Sequence, residues 1–441
     1  MRGLTVAAVT AALLSTGPVW AAGFALKEQS ALALGSAFAG ATAGAEDISH
    51  AFFNPAALSR FDGIHAVAIA SYISPVSTLQ DSSSTNAANI PLGGDSDDRN
   101  FGKAALVPAF YGAAQINDRV RIGLSLNVPF GLETRYPRNW SGRYHGVESE
   151  LTTVNLSPMV AVDVNPWLSI GGGVMVQYAD AELTNAIDFG TIGAGAGGTP
   201  GQDDGFGSVT GDDVGVGFNL GLLAEPVKGT RFGVGFRSKI DHTLEGEADF
   251  TLSDNAGLNA ALTAGGAFAD TDATAKFESP AMVSFGIFHE VDENLAIMGE
   301  AQWTQWSSFD QLIIDFDNPN QPNSVTEQNW DDQWFLAAGA RYDFSEEFGI
   351  RFGFAYDQKA VKTTFRTPRI PDSNRYWFAA GLNWQPTSNF ELAAGFTYIH
   401  LNDAEVRLRT NGADDNASRG NFDAEYDSFI NILTLSGTFK F

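Results

Sequence analysis

The side chains able to do covalent chemistry are few in this chain, and they stand apart. There is no cysteine, which excludes thiol catalysis and a disulfide framework. Histidine occurs six times, as His50, His65, His145, His242, His289 and His400. A hydrolytic site sets one such imidazole beside a serine nucleophile and an acid, and none of the six comes with a recognisable nucleophile. No spacing implies a metal set or a cofactor. Lys and Arg number 26 against 52 Asp and Glu, a net charge of −26. That argues against nucleic acid as a partner, since phosphate binding needs clustered Lys and Arg. Much of the acid falls in loop-like stretches such as Gln202-Asp203-Asp204 and Gly211-Asp212-Asp213. Solvated loops are the plain reading; divalent-cation bridging to surface lipid is the other. What remains is binding and passage, and the question moves to the elements that position the residues.

The last nine residues read LTLSGTFKF. Leu433, Leu435, Gly437, Phe439 and Phe441 share one side of a strand, and Thr434, Ser436, Thr438 and Lys440 share the other. Side chains alternate faces along a strand, so this one wants an apolar medium outside and a polar space inside. A strand of that kind with a terminal Phe looks like the closing strand of a bacterial outer-membrane β-barrel, where a C-terminal aromatic is read by the barrel-assembly machinery. The other end agrees. Arg2 gives a positive start, Leu4 to Leu14 an apolar run, and Val19-Trp20-Ala21 a small-residue cleavage site. Residues 1–21 are therefore expected to be a signal peptide, too short in apolar length to span a bilayer.

A mean hydropathy of −0.08 is too polar for a helical membrane protein. Forty-seven Gly and 33 Phe are unusual for a soluble α/β enzyme, whereas membrane barrels fall here because each span is half apolar. Period-2 segments occur near 64–73, 104–116, 119–129, 151–164, 167–183, 214–225, 230–244, 276–290, 295–315, 333–344, 348–357, 375–385, 390–408 and 426–441. The turns after the even-numbered spans are tight, as at Asn117-Asp118 and Asn165-Pro166. Those after the odd-numbered spans are long, as at 74–103 and 184–213. The reading is an all-β, 14-stranded antiparallel transmembrane β-barrel over 64–441 in the bacterial outer membrane. Parity sets Val120, Ile122, Leu124, Leu126 and Val128 outward, and Arg121, Gly123, Ser125 and Asn127 inward. In the seventh span it sets Phe232, Val234, Phe236 and Ile240 against Arg231, Gly233, Gly235, Arg237, Lys239 and Asp241. In the twelfth it puts Arg375 and Trp377 inside.

Residues 22–63 do not alternate. Rich in Ala, too apolar for a free tail and unable to span, the segment must pack somewhere, and the lumen is the obvious place. Here the resemblance becomes specific. An N-terminal Ala22-Gly23-Phe24, a small-residue stretch from Gly35 to Gly40, the acid pair Glu46-Asp47 and Asn54-Pro55-Ala56 resemble the N-terminal hatch of the FadL/TodX family. These are outer-membrane transporters of long-chain fatty acids and other hydrophobic compounds. Similarity continues in LNVPFGLETRY (126–136), VESELTTVNLSP (147–158), FRSKIDHTLEG (236–246), TQWSSFDQL (304–312) and IPDSNRYWFAAG (370–381).

The resemblance implies a 14-stranded barrel plugged by the hatch, passive transport, and sideways exit at a kink in the third strand. Val128, Pro129, Phe130 and Gly131 would be that lateral gate, since proline cannot donate to the ladder and glycine weakens it. The alternative is that Pro129 and Gly131 simply end a strand. Asn54-Pro55-Ala56 would lock the hatch, and Phe24 would abut the ligand. In fatty-acid members, basic side chains near the outer ends of the fifth and tenth strands meet the carboxylate, and this chain places Asn185 and Asp331 there. Arg237, Lys239, Arg375 and Arg143 are the candidate substitutes, with Trp377 beside them. Each cation could instead pair with acids such as Asp241 or Glu245. The departure gives weight to a second substrate class, uncharged or aromatic hydrocarbons. A general porin and an outer-membrane hydrolase are the remaining rivals; inward Trp377 and Phe335 count against the first. The implied partners are a hydrophobic ligand, outer-membrane lipid with its lipopolysaccharide, and the assembly machinery through Phe441.

Overall fold

The computed structural model describes residues 23–95, 100–412 and 416–441; the expected signal peptide, 1–21, lies outside them. Twenty extended segments form one antiparallel sheet. In order they are β1 (Ile64–Ser84), β2 (Ala105–Asn117), β3 (Val120–Asn127), β4 (Gly131–Arg135), β5 (Glu148–Asn165), β6 (Leu168–Asp188), β7 (Asp204–Val227), β8 (Thr230–Arg237), β9 (Ile240–Thr251) and β10 (Thr271–Ser279). There follow β11 (Met282–Glu290), β12 (Leu295–Thr304), β13 (Gln311–Phe316), β14 (Ser324–Glu327), β15 (Gln333–Asp343), β16 (Phe348–Asp357), β17 (Arg375–Thr387), β18 (Phe390–Leu401), β19 (Ala404–Leu408) and β20 (Phe422–Lys440). Six neighbouring pairs, β3–β4, β8–β9, β10–β11, β12–β13, β14–β15 and β18–β19, are halves of single crossings. The barrel therefore has fourteen strands. No helix among the described residues is long and apolar enough to cross a membrane.

Closure follows from the chemistry of the two ends. β1 pairs with β20 from His65↔Lys440 to Ser84↔Phe422, and the Phe441 amide donates to the Ile64 carbonyl at 2.8 Å. The edge that would otherwise be left open in lipid is thereby removed. Alternation then decides which face is which. Leu433, Leu435 and Phe439 are exposed while Thr434, Ser436 and Thr438 are buried. Trp167, Phe344, Phe348 and Trp384 stand outward near the short turns, and Tyr178 and Trp334 toward the loop end, as the two aromatic girdles of such barrels require.

Several strands outrun their sequence-derived ends: β1 continues to Ser84, β7 starts at Asp204, and β9 reaches Thr251. Beyond the bilayer both faces are wet, so the alternation fades while the backbone ladder continues. Two parity assignments are corrected. Across β7, β8 pairs as Asn219↔Arg237, but β9 resumes one residue out of step, with Asp212↔Glu245. A one-residue slip turns every later side chain to the other face. Lys239 and Asp241 therefore face outward, and Ile240 and His242 are buried. Lys239, 48% exposed, bonds to Asp241 at 2.9 Å and Glu278 at 3.3 Å on the outer surface, so it is no lumenal cation. Val128, placed outward by alternation, is buried against Leu26 because the strand has already broken there.

Residues 23–63 lie against inward-facing residues around most of the circumference. Three short turns carry them, each begun by a side chain that accepts from the backbone: Ser30 before Ala31–Gly35, Asp47 before Ile48–Phe52 and Asn54 before Pro55–Arg60. The first packs on β16, β17, β18 and β20, and the third on β3, β5, β6 and β7. Inward glycines allow the approach. A Cβ at Gly233 would sit 2.0 Å from the Thr42 carbonyl oxygen, and one at Gly353 1.9 Å from that of Ser36. Glu46 accepts from Arg351 at 2.9 Å and from Arg341. Burial alone would raise its carboxyl, yet those two guanidiniums hold it well below the ordinary carboxylate range. Replacing Glu46 with Ala leaves Arg351 buried beside Arg341 without that carboxylate. Removing one partner of a buried pair costs about 3–5 kcal/mol. Hydrogen exchange should show residues 31–60 losing protection while the barrel amides keep theirs; equal protection in both proteins would refute the assignment.

Candidate functional site

Between the N-terminal segment and the long loops lies a cavity of about 1330 Å³, its open mouth included. Its walls are the inward apolar residues of successive strands: Leu132 of β4, Leu151 of β5, Leu183 of β6, Leu244 of β9, Phe277 of β10 and Ile314 of β13. A concave, mainly apolar space with a few convergent polar groups is the usual form of a small-molecule site. Phe24 closes one end, ringed by Trp306 at 4.6 Å, Phe277 at 5.5 Å, Trp330 at 5.7 Å, Phe309 at 5.9 Å and Phe130 at 6.1 Å between centroids. Three of these contacts are edge-on and two are tilted, and together they fix the ring in place.

The loop end is polar and cationic. The segment 358–374 turns in from outside, held by Asp372, which accepts from the Ala360 amide at 2.8 Å and the Val361 amide at 3.2 Å. It delivers Arg369, flanked by Pro368 and Pro371, to the cavity. Arg369 donates to the Glu148 carbonyl at 2.7 Å, the Ser149 hydroxyl at 2.6 Å and the Thr184 carbonyl at 2.9 Å. Among the described residues it pairs with no carboxylate. Burial and the neighbouring Arg419 pull its pKa below the ordinary guanidinium range. An anionic ligand would relieve that condition. Arg419, which donates to Thr326 at 2.9 Å, lines the same end with Asn416, Asn185 and His145. Gly146 makes room, since a Cβ there would sit 3.0 Å from the Arg369 side chain.

At the wall, β3 pairs with β2 only as far as Phe110↔Leu126. β4 pairs with β5 and, on its other side, makes a single bridge from Thr134 to Gly102. The N-terminal residues take up the freed backbone groups. The Leu26 amide donates to the Pro129 carbonyl at 2.8 Å, the Gly131 amide to the Phe24 carbonyl at 2.9 Å, and the Gln29 side chain to the Val128 carbonyl at 2.8 Å.

The structure thus brings Phe24 and the 128–131 kink together at the cavity and leaves other candidates elsewhere. Arg375 is buried between Asp357 and Asp372. Trp377 packs on Phe38 and Phe335, and neither residue lines the cavity. Arg143 is locked to Asp204 at 2.6 Å in the outer loops. Asp331 is exposed and bonds to Lys362 at 3.0 Å. Pro55 and Ala56 press on Gly171, and the Asn54 side chain donates to the Thr42 and Leu222 carbonyls. Sequence reasoning missed Arg369 and Arg419. The available signal was an arginine between two prolines, immediately before a family-like motif.

A closed barrel with an apolar exterior and a ligand-sized apolar cavity inside is the form of an outer-membrane protein that passes small hydrophobic molecules. Comparison with known proteins makes this specific. A sequence profile described as outer membrane protein transport protein (OMPP1/FadL/TodX) matches residues 12–441, and the chain belongs to that family. It is 29% identical to the putative outer membrane protein NMB0088 of Neisseria meningitidis serogroup B, covering 96% of this chain and 95% of that one. It is 31% identical to a long-chain fatty acid transport protein of Escherichia coli O157:H7, covering 89% and 91%. Its fold superimposes on a Pseudomonas aeruginosa FadL homologue with a TM-score of 0.87 at 25% identity, over 95% of this chain and 100% of that one. The toluene transporter TbuX of Ralstonia pickettii shares the fold at TM-score 0.67 and 19% identity, over 94% and 99%.

If the cavity is the binding site, filling it should block every ligand. Ala181 lines it with a half-buried side chain. Ala181→Trp should weaken binding of a fluorescent fatty acid and of a neutral hydrocarbon alike, by about tenfold or more, given that several CH₂ groups at ~0.8 kcal/mol each lose their burial. Undiminished binding would place the site elsewhere.

Proposed function

We propose that this protein carries long-chain fatty acids passively across the outer membrane. The observation that carries the reading is Arg369, a half-buried guanidinium without a carboxylate partner among the described residues, at the loop end of an apolar cavity. Apolar burial holds the chain at ~0.8 kcal/mol per CH₂, and charge-assisted bonds orient the head. The same cations stand in for the basic residues that positions 185 and 331 lack. Relatives named long-chain fatty acid transport protein support this substrate class.

In this reading residues 22–63 are a hatch that shuts the lumen to water, so small sugars do not pass as through a general porin. The ligand crosses the polar lipopolysaccharide layer through the loops and rests against Phe24. It leaves sideways between β2 and β4, where Val128 to Gly131 form the gate and residues 24–26 the bar across it. Phe441 addresses the barrel to the assembly machinery. Catalysis has no part in it: burial, with Arg419 beside it, pushes His145, the histidine at the cavity, down to about 3, which makes it a weak base at neutral pH. Hydrocarbon uptake is the second reading, supported by the apolar walls and the neutral Asn185.

Oleate against an uncharged hydrocarbon of equal length separates the two. Arg369→Gln should weaken oleate binding about tenfold or more, because bonds to charged groups contribute ~1.5–3 kcal/mol, and leave the neutral ligand within about twofold. Equal binding of both ligands before and after would make this a hydrocarbon channel. For the gate, a Cβ at Gly131 would meet Leu26 at 3.2 Å. Pro129→Ala combined with Gly131→Val should therefore reduce uptake while oleate still binds; unchanged uptake would remove the gate.

A further inference from the structure

A second and much smaller void, with free space for about one water molecule, is bounded by Ala25, Leu26 and Lys27 on one side and by Pro129 and Phe130 of the kink on another. The strip that borders the outer pocket with Phe24 thus borders this one with its next three residues. The polar groups lining it are Lys27, Arg237, Gln302, Thr304 and Gln333, and no carboxylate is among them. Arg237 is 8% exposed. It lies 4.2 Å over the Phe52 ring and donates one bond, to the Phe52 carbonyl, at 3.3 Å. Among the described residues it pairs with no carboxylate. Lys27 lies 4.2 Å over the Phe335 ring and bonds to Gln302.

Three other buried guanidiniums of the lumen are paired with acids. Arg121 meets Asp62 at 2.6 Å and Asp163 at 2.9 Å, Arg351 meets Glu46 at 2.9 Å, and Arg375 meets Asp357 at 3.3 Å. Desolvating a cation without such a partner is costly. A methionine or leucine would cover the Phe52 ring at no such cost. Arg237 sits beside the point where the wall ladder is interrupted.

We propose that Arg237 and Lys27 form a second carboxylate station, beside the exit. It rests on the fatty-acid reading above and adds a step to it. A carboxylate leaving Arg369 and Arg419 is accepted by the Arg237 guanidinium and the Lys27 ammonium. The head group stays paired there while the chain passes between β2 and β4 into lipid. The outer station then governs capture, and the inner one governs release of anionic ligands alone.

The test uses the full-length protein in cells lacking their own transporter, with oleate and 1-octadecene as paired probes. Arg237→Gln should lower oleate uptake about tenfold, the scale of a lost charge-assisted bond. Octadecene uptake and equilibrium oleate binding should stay within about twofold, and Arg237→Lys should restore most oleate uptake. Lys27→Gln should show the same selectivity and serves if the first variant does not assemble. Equal loss for both probes would make the pair structural, and unchanged oleate uptake would show that no station exists; either overturns the proposal. Failure of the outer reading looks different, since it appears as oleate binding indifferent to Arg369→Gln.

Discussion

Everything in this molecule answers to one constraint: backbone donors and acceptors at membrane depth must be satisfied without water. The β1–β20 seam meets it by closing the sheet. The kink at 128–130 violates it locally, because β4 has lost β2 as a continuous partner. The N-terminal strip repairs the breach by lending the Phe24 and Pro129 carbonyls and the Leu26 and Gly131 amides to one another. A hole in the wall is thus tolerable only while residues 24–26 lie along it. Phe24 of that strip also lines the outer cavity, so one piece of chain borders both the interruption and the cavity.

The lumen poses the opposite problem, since its side chains must both pack a folded segment and leave a void. Glycine resolves the first demand. Gly233 and Gly353 let the segment's carbonyls approach the wall more closely than any Cβ allows. Charge then fixes position: Glu46 draws in Arg341 and Arg351 from adjacent strands. Toward the loops the inward set changes to Leu, Ala and Phe, and the void lies beside Phe24.

How far this could be read from the chain follows from the same physics. Strands in lipid announce themselves, because one face must be apolar, and the fourteen spans and their parity were legible for that reason. Above the lipid the signal fades, and the outer ends of β1, β7 and β9 went unread. Lys239 was misplaced because a one-residue slip leaves no mark in composition; only the pairing with β7 reveals it. The kink was legible in Pro129 and Gly131. Arg369 was not, because a loop position gives no parity, and its inward turn depends on Asp372 capping backbone amides eleven and twelve residues earlier.

Scarcity of acid does not explain why Arg369 and Arg237 pair with no carboxylate among the described residues. The chain holds 52 Asp and Glu against 26 Lys and Arg, and it provides carboxylates to Arg121, Arg351 and Arg375 within the same lumen. Arg369 and Arg237 are instead met by carbonyls, a hydroxyl and an aromatic ring. These groups hold a guanidinium in place without neutralising it. Both residues line cavities, one at the loop end and one at the wall. At the apolar cavity the bonds of Arg369 to two carbonyls and a hydroxyl fix its position while leaving its charge unneutralised, so a guanidinium that met an anionic head there would stay behind when the anion left.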